Sequence, residues 1–332
     1  MKVRASAPLR LVKFVVGGCR SLLDKLPKHF LISGGEVPCE GVRLRFPKDV
    51  GISYATNLFW HGDIGYEPVT TRVLLAQMSG ARHFIDIGSN IGFYSVLARK
   101  LFPALRVDAF EPVPSIYQKN LEFHRANGVS ADGIWPKACS NENGTTTIYL
   151  PLFESAVEED QTATLRSDSW QHQRKMRQEI TVETIKIDSF LGEHPASTPL
   201  LLKIDVEDHE AAVLEGGSET IRSKRPIILC EMLPREHGNR ETWRILDRLG
   251  YIGFAITADG LFRFGPDDSA LDRELKDFLC VPQELGKNFA NYLSFAALNS
   301  LREAWVSAKT PAAPASSGSS AGESSSSEGV AR

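Results

Sequence analysis

The chain has 332 residues, 42% of them hydrophobic and 24% charged, with a formal net charge of -3. That is enough apolar material for a sizeable core, and the slightly acidic balance argues against a general nucleic-acid binder. Five cysteines (Cys19, Cys39, Cys139, Cys230, Cys280) are scattered without a C-x-x-C pair, which gives no zinc signature and fits reduced thiols in a cytoplasmic setting.

Residues 1–30 are basic: seven lysines and arginines stand against Asp24 alone, and Val12, Val15, Cys19, Leu22, Leu23 and Leu26 recur at helical spacing. The run Leu11 to Val16 is interrupted by Lys13 and is too short to span a bilayer, and no small-residue cleavage site follows it. A helix docked on the rest of the protein, or a disordered segment, is the expectation. Peripheral contact of this amphipathic segment with the inner membrane surface is the alternative. Residues 31–65 read as a β-rich extension, because Val42, Leu44 and Phe46 alternate with Arg43, Arg45 and Pro47. A helix over 69–78 follows Trp60-His61-Gly62-Asp63-Ile64-Gly65-Tyr66-Glu67-Pro68, a turn-rich stretch that is either packed or a cover for a ligand.

The next element organises the chain. His83-Phe84-Ile85 is a short apolar run of strand type, and Phe93, Tyr94, Val96, Leu97 and Leu101 fall at helical spacing. Between them lies Asp86-Ile87-Gly88-Ser89-Asn90-Ile91-Gly92. Glycines there permit a tight turn and close approach of a ligand, and the helix start beyond offers unpaired N–H groups. Val107 to Phe110 is a second strand ending at Glu111, about 20 residues downstream, where ribose hydroxyls are commonly held. The dinucleotide pattern G-x-G-x-x-G fails, since Asn90 and Phe93 stand where its second and third glycines belong. No G-K-[S/T] follows for a phosphate loop. The D-x-G-x-x-x-G arrangement suits the S-adenosylmethionine (SAM) loop of class I methyltransferases, whose ligand carries an amino-acid end in place of a pyrophosphate.

Further along, the pattern predicts a helix over 112–127, a strand over 133–139, and a hairpin turn at Asn141-Glu142-Asn143-Gly144 returning as a strand over 145–150. Residues 155–178 are polar and aperiodic, the candidate for a substrate-covering insertion. Strands are expected over 182–190, over 199–206 as a central buried strand, over 226–231, and at Tyr251 to Ile256 and Leu261 to Phe264 around Asp259-Gly260. Helices are expected over 208–222 and 236–249, and a last strand over 292–298. Residues 311–332, nearly all Ser, Ala, Gly and Pro, are expected to be disordered.

Four stretches in order, the loop at 86–92, Phe110-Glu111-Pro112 with Asn120-Leu121, Leu202-Lys203-Ile204-Asp205-Val206-Glu207, and Val213-Leu214-Glu215-Gly216, resemble the FkbM family of SAM-dependent methyltransferases. The resemblance runs from about Tyr66 to about Leu293. It implies an α/β fold with a doubly wound, mostly parallel seven-stranded sheet of the class I, Rossmann-like kind, formed by a methyltransferase domain over 66–300, and SAM as cofactor. It implies cofactor binding by Asp86, Gly88, Ser89, Asn90, Gly92, Glu111, Pro112 and Ala138: Asp86 orders the loop and the amino group, Glu111 accepts the ribose hydroxyls, and the backbone at Ala138 meets the adenine. One departure is Asp208, where the family usually has glycine.

Asp86, Glu111, Asp205 and Glu231 are all predicted at strand carboxyl ends, where open α/β sheets bind ligands. A hydroxyl is a poor nucleophile while protonated, so a base is useful; Asp205, Glu207 and His209 are the catalytic candidates. By ligand type Asp205, Glu207, His209 and Glu231 could hold a metal, but no metal is assigned. The expected reaction is O-methylation of a hydroxyl on a sugar, glycan or secondary metabolite, a small-molecule or glycan acceptor that nothing in the sequence names, as nothing fixes the oligomeric state. The alternatives are a nicotinamide-dependent oxidoreductase and a non-catalytic membrane- or polymer-binding protein.

Overall fold

The computed structural model describes residue 32 and residues 34–151, 177–233, 239–258, 260–265 and 275–286. The segments 1–30 and 311–332, most of 155–178 and the strand expected over 292–298 lie outside them.

A hairpin of β1 (Gly35–Cys39) and β2 (Val42–Phe46) comes first, then helix α1 (Ile52–His61) and α2 (Pro68–Met78). Strand–helix alternation follows: β3 (His83–Ile87), α3 (Phe93–Leu101), β4 (Arg106–Phe110), α4 (Pro114–Ala126) and the short β5 (Ile134–Trp135). Three strands form a separate small sheet: β6 (Lys137–Cys139), β7 (Gly144–Pro151) and β8 (Arg177–Ile185), in the order β6-β8-β7. The chain continues through α5 (Ile187–Glu193), β9 (Leu200–Ile204), α6 (Glu210–Gly216), α7 (Ser218–Lys224), β10 (Ile227–Glu231), α8 (Arg240–Arg248), β11 (Tyr251–Thr257), β12 (Gly260–Phe264) and β13 (Asp277–Pro282).

The main sheet has eight strands in the order β12-β11-β13-β10-β9-β3-β4-β5. From β10 to β5 every pairing is parallel, and β13, β11 and β12 add antiparallel pairings at the other edge. The strand order reverses beside β3, so the carboxyl ends of β3 and β9 face a crevice. Side chains alternate across the sheet with period two. Phe84, Leu201 and Leu279 face a core shared with α1, α2, α3 and α4. Ile85, Leu202 and Cys280 face the opposite core, with α5, α6, α7 and α8. Both faces are covered, and β3 and β9 are buried at every residue, as the apolar run at 199–206 predicts.

Several expectations are corrected. The eighth strand is β12, the hairpin partner of β11. Residues 52–61 are helical, where short strands and turns are expected: Ile52, Ala55 and Leu58 fall three apart and are buried on one side, a spacing masked by the aromatic and β-branched residues between them. The turn at 141–144 does not make a hairpin, because β6 pairs in parallel with β8, and Asn143 instead bonds the Lys186 amide and the Ser189 hydroxyl. The strand expected over 182–190 ends at Ile185. Beyond it, Ile187, Phe190 and Leu191 bury one helical face, and the Asp188 carboxylate accepts the amides of Glu219 and Thr220 at the start of α7. The helix expected over 208–222 is two, broken at Gly216-Gly217; a Cβ on Gly216 would lie 1.9 Å from the Ser140 carbonyl oxygen. β13, antiparallel to both β10 and β11, falls where no strand is expected. Among the described residues no helix is long and apolar enough to cross a membrane.

Candidate active site

A cavity of about 300 Å³ opens at the carboxyl ends of β3, β4, β9 and β10. One side is made by the loop after β3. Gly88 and Gly92 take left-handed φ values of +78° and +82°. At Gly88 no side chain fits, since a Cβ would lie 1.8 Å from the Asp205 carbonyl oxygen. The loop is pinned from beneath: the Gly88 and Ser89 amides donate to the Phe110 carbonyl at 3.0 and 2.9 Å. Buried Asn120 of α4 donates to the Ser89 hydroxyl and the Asn90 carbonyl at 3.0 and 2.7 Å.

Glu111, 5% exposed, lines the cavity at the end of β4. One carboxylate oxygen accepts the Asn90 amide at 3.0 Å and the other the Val113 amide at 2.9 Å. Each oxygen keeps a lone pair for a further donor. Burial pushes its pKa up to about 7, against the pull of those two amides. Phe110, Pro112, Ile116, Ala138 and Ile148 give this half an apolar wall.

The opposite half is built from charged side chains. Lys203, 3% exposed in the middle of β9, donates to Asp205 at 2.7 Å and sits 5.2 Å from the Tyr94 ring centroid. Lys276, at the start of β13, donates to Glu67 at 2.9 Å and Glu231 at 2.8 Å. The other Glu67 oxygen accepts the Tyr94 hydroxyl at 2.9 Å. Tyr54 and Tyr66 stack at 4.4 Å between centroids and, with Ser53, bring α1 and the turn after it into the wall. Burial works to raise the Asp205 pKa, but Lys203 and a hydrogen bond with Glu231 carry it below the usual carboxylate range. Burial and the Asp205 charge push Glu231 well above it. The two carboxyls therefore titrate as a pair, with Asp205 the one biased toward the ionised form. Glu207 also lines the cavity; burial and Asp205 raise its pKa to about 8.

The structure thus gathers Gly88, Ser89, Asn90, Glu111, Pro112, Ala138, Asp205 and Glu207 around one cavity. Three sequence candidates stand apart from its wall. Gly92 caps α3 behind the loop. Asp86 is 1% exposed beneath it, and neither of its oxygens has a hydrogen-bond partner of good geometry among the described residues. Burial raises its pKa to about 6, against Lys203 and the Ser95 backbone. His209 precedes α6 and meets the Ser140 hydroxyl at 2.9 Å, outside the cavity lining. Among the described residues no cluster of His, Cys, Asp and Glu has the makings of a metal site. Sequence reasoning missed Ser53, Tyr54 and Lys276. The helical spacing 52, 55, 58 was a usable signal for the first two; Lys276 had none. Asp208 takes φ +78° directly after Glu207 at +51°, so the position where the family usually carries glycine does have left-handed geometry.

The methyltransferase FkbM domain family matches residues 86–252, just over half of the chain. The chain belongs to this family. Among curated relatives, Methyltransferase 1 of Beauveria bassiana (strain ARSEF 2860) is 33% identical over 144 residues, covering 40% of this chain and 57% of that protein. Methyltransferase sdnD of Sordaria araneosa is 25% identical over 169 residues, covering 44% and 64%. The matches thus span less than two thirds of either relative. Among solved structures, methyltransferase FkbM from Methylobacillus flagellatus KT shares 16% identity over 61% of this chain and 44% of its own, with a TM-score of 0.31. The O-methyltransferase TomG from Streptomyces achromogenes, involved in tomaymycin synthesis and solved with SAM, shares 14% identity over 69% of this chain and 86% of its own, with a TM-score of 0.37.

Proposed function

We propose that this FkbM-family chain is a SAM-dependent O-methyltransferase acting on a hydroxyl of a sugar, glycan or secondary metabolite, with residues 66–300 as the catalytic unit. The observation that carries the reading is Glu111: a buried carboxylate fixed by two main-chain amides, with one lone pair on each oxygen still open to the cavity. That arrangement fits two adjacent hydroxyls of a ribose, while the two amides hold the carboxylate in place for them. The apolar wall of Phe110, Pro112, Ile116 and Ala138 suits a flat adenine. SAM, when bound, supplies an electrophilic methyl group on a sulfonium.

The chain's own part is to hold the acceptor hydroxyl in line with that methyl, to exclude water, and to take the hydroxyl proton. Asp205 is the assigned base. It lines the cavity as a carboxylate held by Lys203, placed to take the proton of the acceptor hydroxyl when that oxygen would displace the methyl group from sulfur, the sulfur leaving as a neutral thioether. Glu207, beside it, shapes the acceptor side. His209 faces Ser140 and is not assigned a proton-transfer role.

Calorimetric titration with SAM, S-adenosylhomocysteine and NAD tests the reading. Binding of both sulfur compounds, absent for NAD and lost in Glu111→Ala, is expected. Failure of folded protein to bind either one overturns it.

A further inference from the structure

The two halves of the cavity differ in where they come from. The loop, Glu111 and Asp205 all lie within the family match at 86–252. Glu67, Tyr54 and Tyr66 precede that match and Lys276 follows it, yet the four converge on the acceptor side. Lys276 joins the flanks, bonding Glu67 before the match and Glu231 within it.

An ammonium has three donors, and Glu67 and Glu231 take two of those on Lys276. Its side chain is 40% exposed, on the cavity wall, bonded to Glu231, which pairs with the assigned base Asp205. A strut alone would be satisfied by two bonds in a dry contact. Here a fixed positive charge with a donor to spare stands where negative charge grows on an oxygen losing its proton. Burial works to lower the Lys276 pKa, but Glu67 and Glu231 carry it well above the usual lysine range, so it stays charged. Carboxyls match both lysines, with Asp205, Asp86 and Glu67 acting on Lys203 and Glu67, Glu231 and Asp277 on Lys276, so no uncompensated positive charge is left to hold an anionic acceptor. The acceptor side is therefore suited to a neutral hydroxyl compound, and Tyr54 and Tyr66 offer its body an aromatic face.

Resting on the methyltransferase reading, we propose that Lys276 is a catalytic residue that donates a hydrogen bond to the reacting oxygen of a neutral hydroxyl acceptor. The proton leaves that oxygen for Asp205, while the Lys276 ammonium keeps its own and stabilises the alkoxide character that develops.

Because the acceptor is unidentified, the probes are 4-fluorophenol and fluorobenzene, which differ by the hydroxyl alone, titrated into protein saturated with S-adenosylhomocysteine and followed by fluorine NMR. The expected result is saturable binding of 4-fluorophenol, at least tenfold tighter than fluorobenzene. Lys276→Met removes that difference and leaves S-adenosylhomocysteine affinity within twofold. The double variant Lys276→Met, Glu67→Gln, which spares the site an unpaired Glu67 charge, gives the same result and covers the case in which the single variant does not fold. Equal binding of the two probes by the unaltered protein, or a hydroxyl preference that survives in the variants, overturns the proposal. So does loss of S-adenosylhomocysteine affinity in the variants, which would make Lys276 a cofactor ligand. Absence of S-adenosylhomocysteine binding in the unaltered protein would instead sink the methyltransferase reading itself.

Discussion

Around Glu111 the cavity wall is held by main-chain groups: amides of Asn90 and Val113 on the carboxylate, amides of Gly88 and Ser89 on the Phe110 carbonyl, and glycine where a Cβ cannot fit. Around Lys276 it is held by side chains: Glu67, Glu231, Asp205, Lys203 and three tyrosines bonded or stacked on one another. Main-chain bonds depend on backbone path and tolerate little change in sequence that alters it. Side-chain networks can be rewritten one residue at a time without moving the backbone. The first half is fixed by backbone path; the second is fixed by side-chain identity.

If that contrast is right, the main-chain half fails as a unit. Gly88→Ala combines a left-handed φ with a collision at the Asp205 carbonyl, and a loss of about 3 kcal/mol or more is expected in urea unfolding. Wild-type stability in that variant would break the comparison. The buried Lys203–Asp205 pair is the exception within the side-chain half: Lys203→Met strands Asp205 and Asp86 without their cation, and about 3 kcal/mol is expected, because Lys203 and Asp205 are 4% and 23% exposed as side chains. Glu111→Ala removes two charge-assisted ribose contacts and should weaken S-adenosylhomocysteine binding by about 100-fold in calorimetry while the protein stays folded.

A pH titration sharpens the same point at smaller amplitude. Glu111 has its pKa raised to about 7, and the ionised form is the better hydroxyl acceptor. S-adenosylhomocysteine affinity should therefore rise by about tenfold from pH 6 to pH 8, and the rise should vanish in Glu111→Gln. Stability of the free protein runs the other way. Glu111, Glu207 and Glu210, the last two raised to about 8 chiefly by burial, bind protons more tightly folded than unfolded. Their contribution is complete below the unfolded value near 4.5 and is lost as pH rises through 7 and 8, to be read as a falling Tm. Smallest of all, His209→Ala should change S-adenosylhomocysteine affinity by less than twofold, since His209 meets Ser140 and not the cavity.

The sequence made the parallel part of the sheet readable because β3, β4, β9 and β10 are short apolar runs with helical spacing between them. The residues on the Glu111 side of the cavity were readable for the same reason that they are rigid: glycines and a strand-end carboxylate at fixed spacing leave a local mark. Lys276 left none, since its importance lies in partners far along the chain. The Lys203 ammonium was in view within Leu202-Lys203-Ile204-Asp205, but only the register of β3 beside β9, which sets Asp86 against Lys203, shows why a buried lysine is tolerated there. That His209 meets Ser140 was not legible, because a position two residues past a candidate carboxylate says nothing of which way a turn carries the ring. Residues 52–61 misled because β-branched and aromatic residues favour strands until burial on one helical face outweighs them.

The span of chain that each half must wait for also differs. The Asn90 amide and Glu111 are 21 residues apart, whereas Thr70 bonds Asp277 across 207 residues and Glu67 bonds Lys276 across 209. Closing contacts of such long range is slow in chain folding. During synthesis the Glu111 side of the cavity has all its parts long before Lys276 exists, so one wall can assemble while the residues of the other are still being translated.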